Sequence, residues 1–233
     1  MAGIFYGVGV GPGDPELLTL KAINLIKSAD IIIAPKTEKK EGSVALTIAK
    51  PYIKDTAEIA TLVFPMVSDQ IQLNDAWASN KETIVNYLDE GKTVVFLTLG
   101  DPMFYSTYIY VYRLLKDCGH PIETIPGITA FCAIGSKLGY PIVEGDDVLN
   151  IIPATMEEEK MEQAFATADN VVLMKVYKNF PQVLEKLKRH GLAKQAVMIS
   201  RCGLDGEQVV HNLSDLNDDH KLNYLSTIVA RRG

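Results

Sequence analysis

The chain has 233 residues, 47% of them hydrophobic and 22% charged, with a net charge of −6. This is the balance of a globular protein with enough chain to bury a core unaided, and it argues against a broad basic surface for nucleic acid. Cys118, Cys132 and Cys202 are odd in number, far apart and form no CxxC pair, which argues against a disulfide framework or a structural zinc site.

Taken in chain order, strand-like and helix-like segments alternate, the pattern of an α/β protein with a largely parallel sheet. Residues 4–10 read as an apolar strand running into Gly11-Pro12-Gly13-Asp14-Pro15, and 17–28 as a helix with Leu18, Ala22, Ile23 and Ile26 on one face. Residues 31–34 form a second buried strand. A charged loop at 36–42 comes next, then a short helix capped by Ser43 that stops before Pro51. A strand at 60–64 leads to a long polar helix from 68 to about 90, closed by Gly91. Residues 93–99 are β-branched and apolar throughout, as a central strand should be. Gly100-Asp101-Pro102 then opens a loop before a helix over 107–118, capped by Gly119.

A soft boundary is expected between Gly119 and His120, dividing a domain over 1–119 from one over 120–233. In the second part a strand ends at Ile125, and a helix over 129–138 starts with Thr129 as its N-cap. Further strands are expected at 149–153, 171–176, 196–200, 208–211 and 224–230, with helices near 157–166 and 181–190. The short connections between the later strands predict a mixed second sheet. No apolar run approaches the roughly 20 residues that span a bilayer, and the first residues lack the basic and apolar regions of a secretory leader. The expectation is a cytoplasmic protein with no membrane partner.

Three turns stand out as candidate chemistry. Gly7-Val8-Gly9-Val10-Gly11-Pro12-Gly13 could let backbone amides approach a ligand, or could be a structural turn. As a dinucleotide fingerprint it fails, because Pro12 stands where the third glycine belongs and the second strand ends in Ile33-Ala34-Pro35 with no acidic residue. A dinucleotide-dependent oxidoreductase and a non-catalytic small-molecule binding module are therefore the competing readings. Asp101 lies just past a central strand, where open α/β sheets bind ligands, a position that favours function over the common alternative of an Asx-Pro turn. Pro126-Gly127-Ile128-Thr129-Ala130 is a third strand-to-helix turn.

Together these turns, with the late strand Ser226-Thr227-Ile228-Val229, resemble the tetrapyrrole methylase family over the span from Gly7 to Arg231. The string from Gly100 to Thr107, the run Ser43-Val44-Ala45, and Leu138-Gly139-Tyr140-Pro141 ahead of Glu144-Gly145-Asp146-Asp147 resemble one branch of it. That branch is the precorrin-2 C(20)-methyltransferases, which include cobalt-factor II enzymes. Sister uroporphyrinogen III methyltransferases usually carry Asp and Arg after the second strand, where this chain has Pro35 and Lys36.

The resemblance implies a fold of two α/β domains, each a mixed or mostly parallel sheet flanked by helices, with the active site in the cleft between them. It implies S-adenosyl-L-methionine as methyl donor, S-adenosyl-L-homocysteine as product, and a tetrapyrrole substrate that arrives with or without its own cobalt. Relatives usually form homodimers. On the same ground Pro12, Leu99, Gly100, Asp101, Phe104, Thr129, Ala130, Met174, Gly203, Thr227, Ile228 and Val229 are expected around the donor. Lys36, Lys175 and Arg201 are expected near substrate carboxylates, with Lys39, Lys40 and Lys178 as further cations. Tyr105, Tyr108 and Tyr112 could wall the flat ring, although Tyr108 and Tyr112 are one helical turn apart and could equally be packing. No acid or base is indicated. His120, His190, His211 and His220 show no ligand spacing, so no protein-held metal is expected.

Overall fold

A computed structural model describes residues 2–36, 42–64, 70–216 and 222–232. The chain divides into two compact units, Met1–Thr129 and Ala130–Gly233.

The first unit is built on five parallel strands: β1 (Ile4–Gly9), β2 (Ile31–Lys36), β3 (Glu58–Val63), β4 (Thr93–Thr98) and β5 (Ile122–Ile125), in the spatial order β3-β2-β4-β1-β5. The boundary expected at 119–120 falls ahead of β5, which pairs with β1 in register Phe5↔Ile122 to Val8↔Ile125. Contact within the sheet thus carries the first unit ten residues further.

Helices cover both faces, as a parallel sheet requires. On one side α3 (Gln70–Asp89) and α4 (Tyr108–Leu115) bury Ile84, Leu88, Tyr108, Val111 and Leu115 against Phe5, Ile31, Ile33 and Phe96. α1 (Leu20–Ser28) and α2 (Val44–Ala49) also pack against β4, burying Ala22, Ile26, Ala45 and Ile48. α1 starts three residues later than its apolar spacing predicted. Pro15–Leu17 forms a 3-10 turn capped by Asp14, and Thr19 is the true N-cap, accepting the Ala22 N–H at 3.2 Å. Ser43 caps α2 by accepting from Leu46. Gly91, at φ 76°, ends α3 through its N–H bond to the Leu88 carbonyl.

The second unit carries β6 (Leu149–Pro153), β7 (Asn170–Met174), β8 (Ala196–Ser200), β9 (Gln208–Val210) and β10 (Ser226–Arg231), in the order β6-β7-β10-β8-β9. The sheet is mixed: β6 and β7 are parallel, while β10 runs antiparallel to both β7 and β8, and β9 antiparallel to β8. α6 (Glu158–Thr167) and α7 (Phe180–Arg189) supply Met161, Phe165, Val183, Leu184 and Leu187 to the core. α5 (Ala130–Leu138) packs against β10. β7 stops two residues short of its predicted end, because Lys175 adopts a left-handed conformation that no strand can continue. Among the described residues no helix is long and apolar enough to cross a membrane.

Candidate functional site

In the first unit the parallel strands deliver the three glycine-bearing turns to one edge, the carboxyl edge, where open α/β sheets bind ligands. β1 lies between β4 and β5, so its turn is flanked by both others. Gly11 and Gly100 exchange backbone bonds across the β1 and β4 turns, at 3.3 Å and 2.8 Å. Both have positive φ, 74° and 72°.

Gly9 and Gly127 are needed for a different reason. A Cβ at Gly9 would lie 2.6 Å from the Gly100 oxygen and from the Gly127 nitrogen, and one at Gly127 would overlap the Gly100 carbonyl. These two glycines let the turns stack against one another, which is the structural role that the sequence left open beside ligand approach.

Asp101 locks the stack. Its Oδ1 accepts the Met103 N–H at 2.8 Å and its Oδ2 accepts the Gly127 N–H at 3.0 Å. Expected beside the donor, this carboxylate has each oxygen engaged by a backbone amide. Two hydroxyls of the same edge are unsatisfied: Thr98 Oγ1, at the end of β4, and Thr129 Oγ1 are buried and have no hydrogen-bond partner among the described residues. Thr129 therefore does not act as the side-chain cap its position before α5 suggested. Pro12 is buried, Leu99, Gly100 and Phe104 are half-buried, and the Phe104 ring meets Tyr105 edge-on at 4.8 Å.

The aromatic candidates separate. Tyr108 is fully buried, stacked on Phe5 with its hydroxyl 2.7 Å from Thr124 Oγ1, and Tyr112 packs against the same cluster. Tyr108 is a core residue and cannot wall a substrate, whereas Tyr112 is half-buried at the edge of that core. Tyr105 is 43% exposed at φ 47°. At the end of β2 the Lys36 backbone is placed, while its side chain, Lys39 and Lys40 lie outside the described residues.

In the second unit Met174 ends β7 half-buried and Ala130 begins α5. Gly203, at φ 74°, donates its N–H to Glu207 at 2.7 Å. Of the β10 trio, Ile228 belongs to the core formed with α6 and α7, which leaves the alternating Thr227 and Val229 on the opposite face. Lys178 lies over the Tyr177 ring at 5.8 Å. His190 sits at the C-terminus of α7, its Nε2 2.7 Å from Glu162, and His220 lies outside the described residues. Among the described residues no three His, Cys, Asp or Glu side chains converge on a metal position.

Residues 5–217 match the family described as Tetrapyrrole (Corrin/Porphyrin) Methylases. The chain belongs to the tetrapyrrole methylase family. This methylase is 35% identical to the cobalt-precorrin-2 C(20)-methyltransferase of Salmonella typhimurium, covering 100% of its own length and 98% of the relative's. It is 37% identical to the probable cobalt-precorrin-2 C(20)-methyltransferase of Methanocaldococcus jannaschii, over 97% and 95% of the two chains. Among solved structures the methylase resembles a cobalt precorrin-4 methyltransferase, with TM-score 0.76 and 22% identity over 98% and 94% of the chains. It also resembles the uroporphyrin-III C-methyl transferase of Thermus thermophilus complexed with S-adenyl homocysteine, with TM-score 0.70 and 21% identity over 97% and 96%. The methylase therefore has the α/β fold of known tetrapyrrole methyltransferases, a parallel sheet followed by a mixed one, and it is a methyltransferase by family.

Proposed function

We propose that the protein transfers a methyl group from S-adenosyl-L-methionine to the C-20 meso carbon of precorrin-2 or of its cobalt-containing counterpart, cobalt-factor II, in cobalamin biosynthesis. The observation that carries this is the full-length identity of 35% and 37% to two proteins named for that reaction. The stacked turns at the carboxyl edge of the first sheet agree with it.

The residues fit the donor. A buried hydroxyl without a partner costs roughly 1–3 kcal/mol, and Thr98 and Thr129 each hold one beside the glycine turns. A ligand rich in hydroxyl, ammonium and carboxylate groups recovers that loss. Pro12, Leu99 and Phe104 offer apolar surface of the kind an adenine or a thioether chain prefers.

When bound, S-adenosyl-L-methionine supplies a methyl group on a positively charged sulfur. The meso carbon of a reduced tetrapyrrole is already electron-rich, so the protein's task is alignment more than activation. Asp101 performs it indirectly, by fixing Met103 and Gly127 and so the backbone of two turns. Tyr105, exposed beside this edge, is the proposed contact for the ring.

The test is anaerobic incubation with S-adenosyl-L-methionine and, separately, precorrin-2, cobalt-sirohydrochlorin and uroporphyrinogen III, with products read by mass spectrometry and NMR. One added methyl at C-20 of either of the first two is the expected result, and the preferred one decides the role of cobalt. Methylation of uroporphyrinogen III alone would replace this reading with the sister activity.

A further inference from the structure

Thirteen described residues have positive φ. Ten are glycine, which adopts this conformation at no steric cost, and three are not: Tyr105 at 47°, Lys175 at 59° and Arg201 at 58°. A bulky L-residue is strained there, because its Cβ crowds the neighbouring carbonyl oxygen. At each of the three a side chain is kept where glycine would be cheaper, and such strain collects at functional positions.

Lys175 and Arg201 are related by the sheet of the second unit. Each comes immediately after a strand, β7 and β8 respectively. Both strands run antiparallel to β10, which lies between them, so both residues leave the sheet at the same edge. Two strand spacings separate them, about 9–10 Å. The edge is well fixed: the Arg201 N–H donates to the Leu225 carbonyl at 2.9 Å, the Ala154 N–H donates to the Met174 carbonyl at 2.7 Å, and Ser200 and Ser226 share a hydroxyl bond at 2.6 Å. Lys175 is exposed. Arg201 is half-buried and uses Nε to hold the Asp205 carbonyl of its own loop, and among the described residues no carboxylate stands within ion-pair distance of it. The nearby Glu207 is neutralised by Lys137 at 2.6 Å.

Two cations on rigid, strained backbone about 9–10 Å apart suit two carboxylate arms of one polyanionic molecule. We propose that Lys175 and Arg201 form a two-point anchor for the carboxylate arms of the tetrapyrrole, and that this role is why neither position is glycine. The proposal rests on the tetrapyrrole reading above.

Lys175→Gly and Arg201→Gly remove the cation and relieve the backbone together. The affinity of each for metal-free sirohydrochlorin is read by fluorescence without methyl donor, S-adenosyl-L-homocysteine binding by calorimetry, and stability by thermal melting. Ring affinity should fall about tenfold per lost cation, with S-adenosyl-L-homocysteine affinity unchanged and the melting temperature of Lys175→Gly equal or higher. Arg201→Gly also loses the Asp205 contact, so Arg201→Lys accompanies it; keeping the charge, it should stay within about threefold of wild type for the ring. Unchanged ring affinity in Lys175→Gly and Arg201→Gly, or a parallel loss of S-adenosyl-L-homocysteine binding, would overturn the anchor. A wild-type protein that binds S-adenosyl-L-homocysteine but no ring would overturn the substrate reading itself.

Discussion

The carboxylate of Asp101 accepts the backbone N–H of Gly127 at 3.0 Å, tying the turn after β4 to the turn after β5. Its other oxygen holds Met103, so one side chain sets two loops of the first sheet's carboxyl edge. The catalytic contribution proposed for this region is therefore one of backbone placement.

Asp101→Ala should lose both bonds and cost about 2 kcal/mol of stability, since each is charge-assisted but half-exposed. S-adenosyl-L-homocysteine affinity should fall with it. Asp101→Asn retains one acceptor oxygen and should lie between the two. Thermal melting and calorimetric titration of the three proteins check this; wild-type donor affinity in Asp101→Ala would show that the turns hold without the carboxylate.

Two glycine substitutions should differ sharply. Gly127→Ala drives a methyl into the Gly100 carbonyl and the Gly9 backbone, none of which can yield, and should cost more than about 3 kcal/mol. Gly119→Ala meets nothing within 4 Å and strains only a φ of 86°, so about 1 kcal/mol is expected. Urea denaturation midpoints compare them directly, and equal costs would mean that loop stacking is looser than described.

Tyr108→Phe tests the core reading of that residue. Its hydroxyl pairs with Thr124 at 2.7 Å and its ring lies where a Gly7 side chain would be. Removing the hydroxyl leaves Thr124 unpaired and should cost about 1–2 kcal/mol, with the KM for tetrapyrrole unchanged. A raised KM at unchanged stability would return Tyr108 to the substrate.

Asp30 supplies a pH dependence. The Thr93 N–H bonded to its carboxylate at 2.9 Å holds its pKa below the ordinary 3.8, with Lys54 at 3.5 Å assisting. A depressed folded-state pKa contributes stability that is complete above 3.8 and lost as pH falls through the lower folded value. Wild type should therefore lose stability over Asp30→Asn only below about pH 4, where the gap between them closes. Above it the gap should be near 1 kcal/mol, because the group is 44% exposed. A gap independent of pH from 2 to 7 would remove Asp30 from the acid response.

Much of this molecule was legible from local chemistry. Alternating apolar runs and caps located the strands and most helices to within a few residues, because β-branched runs such as 93–99 and terminators such as Gly91 act through near neighbours. The glycine turns and their order along the chain carried the family. Local pattern could not supply pairing. β5 joins β1 across more than a hundred residues and moves the unit boundary, and no signal within 119–130 marks that. Likewise Asp101 read either as a ligand-facing carboxylate or as an Asx-Pro turn, and only the tertiary structure brings Gly127 and Met103 to its two oxygens; Tyr108 read as equally fit for ring or core until Phe5 and Phe96 closed over it. The left-handed backbones of Lys175 and Arg201 were hidden in the same way. A positive φ on a cation is imposed by where the sheet ends and by the turn the chain makes beyond it, and only the tertiary structure decides that.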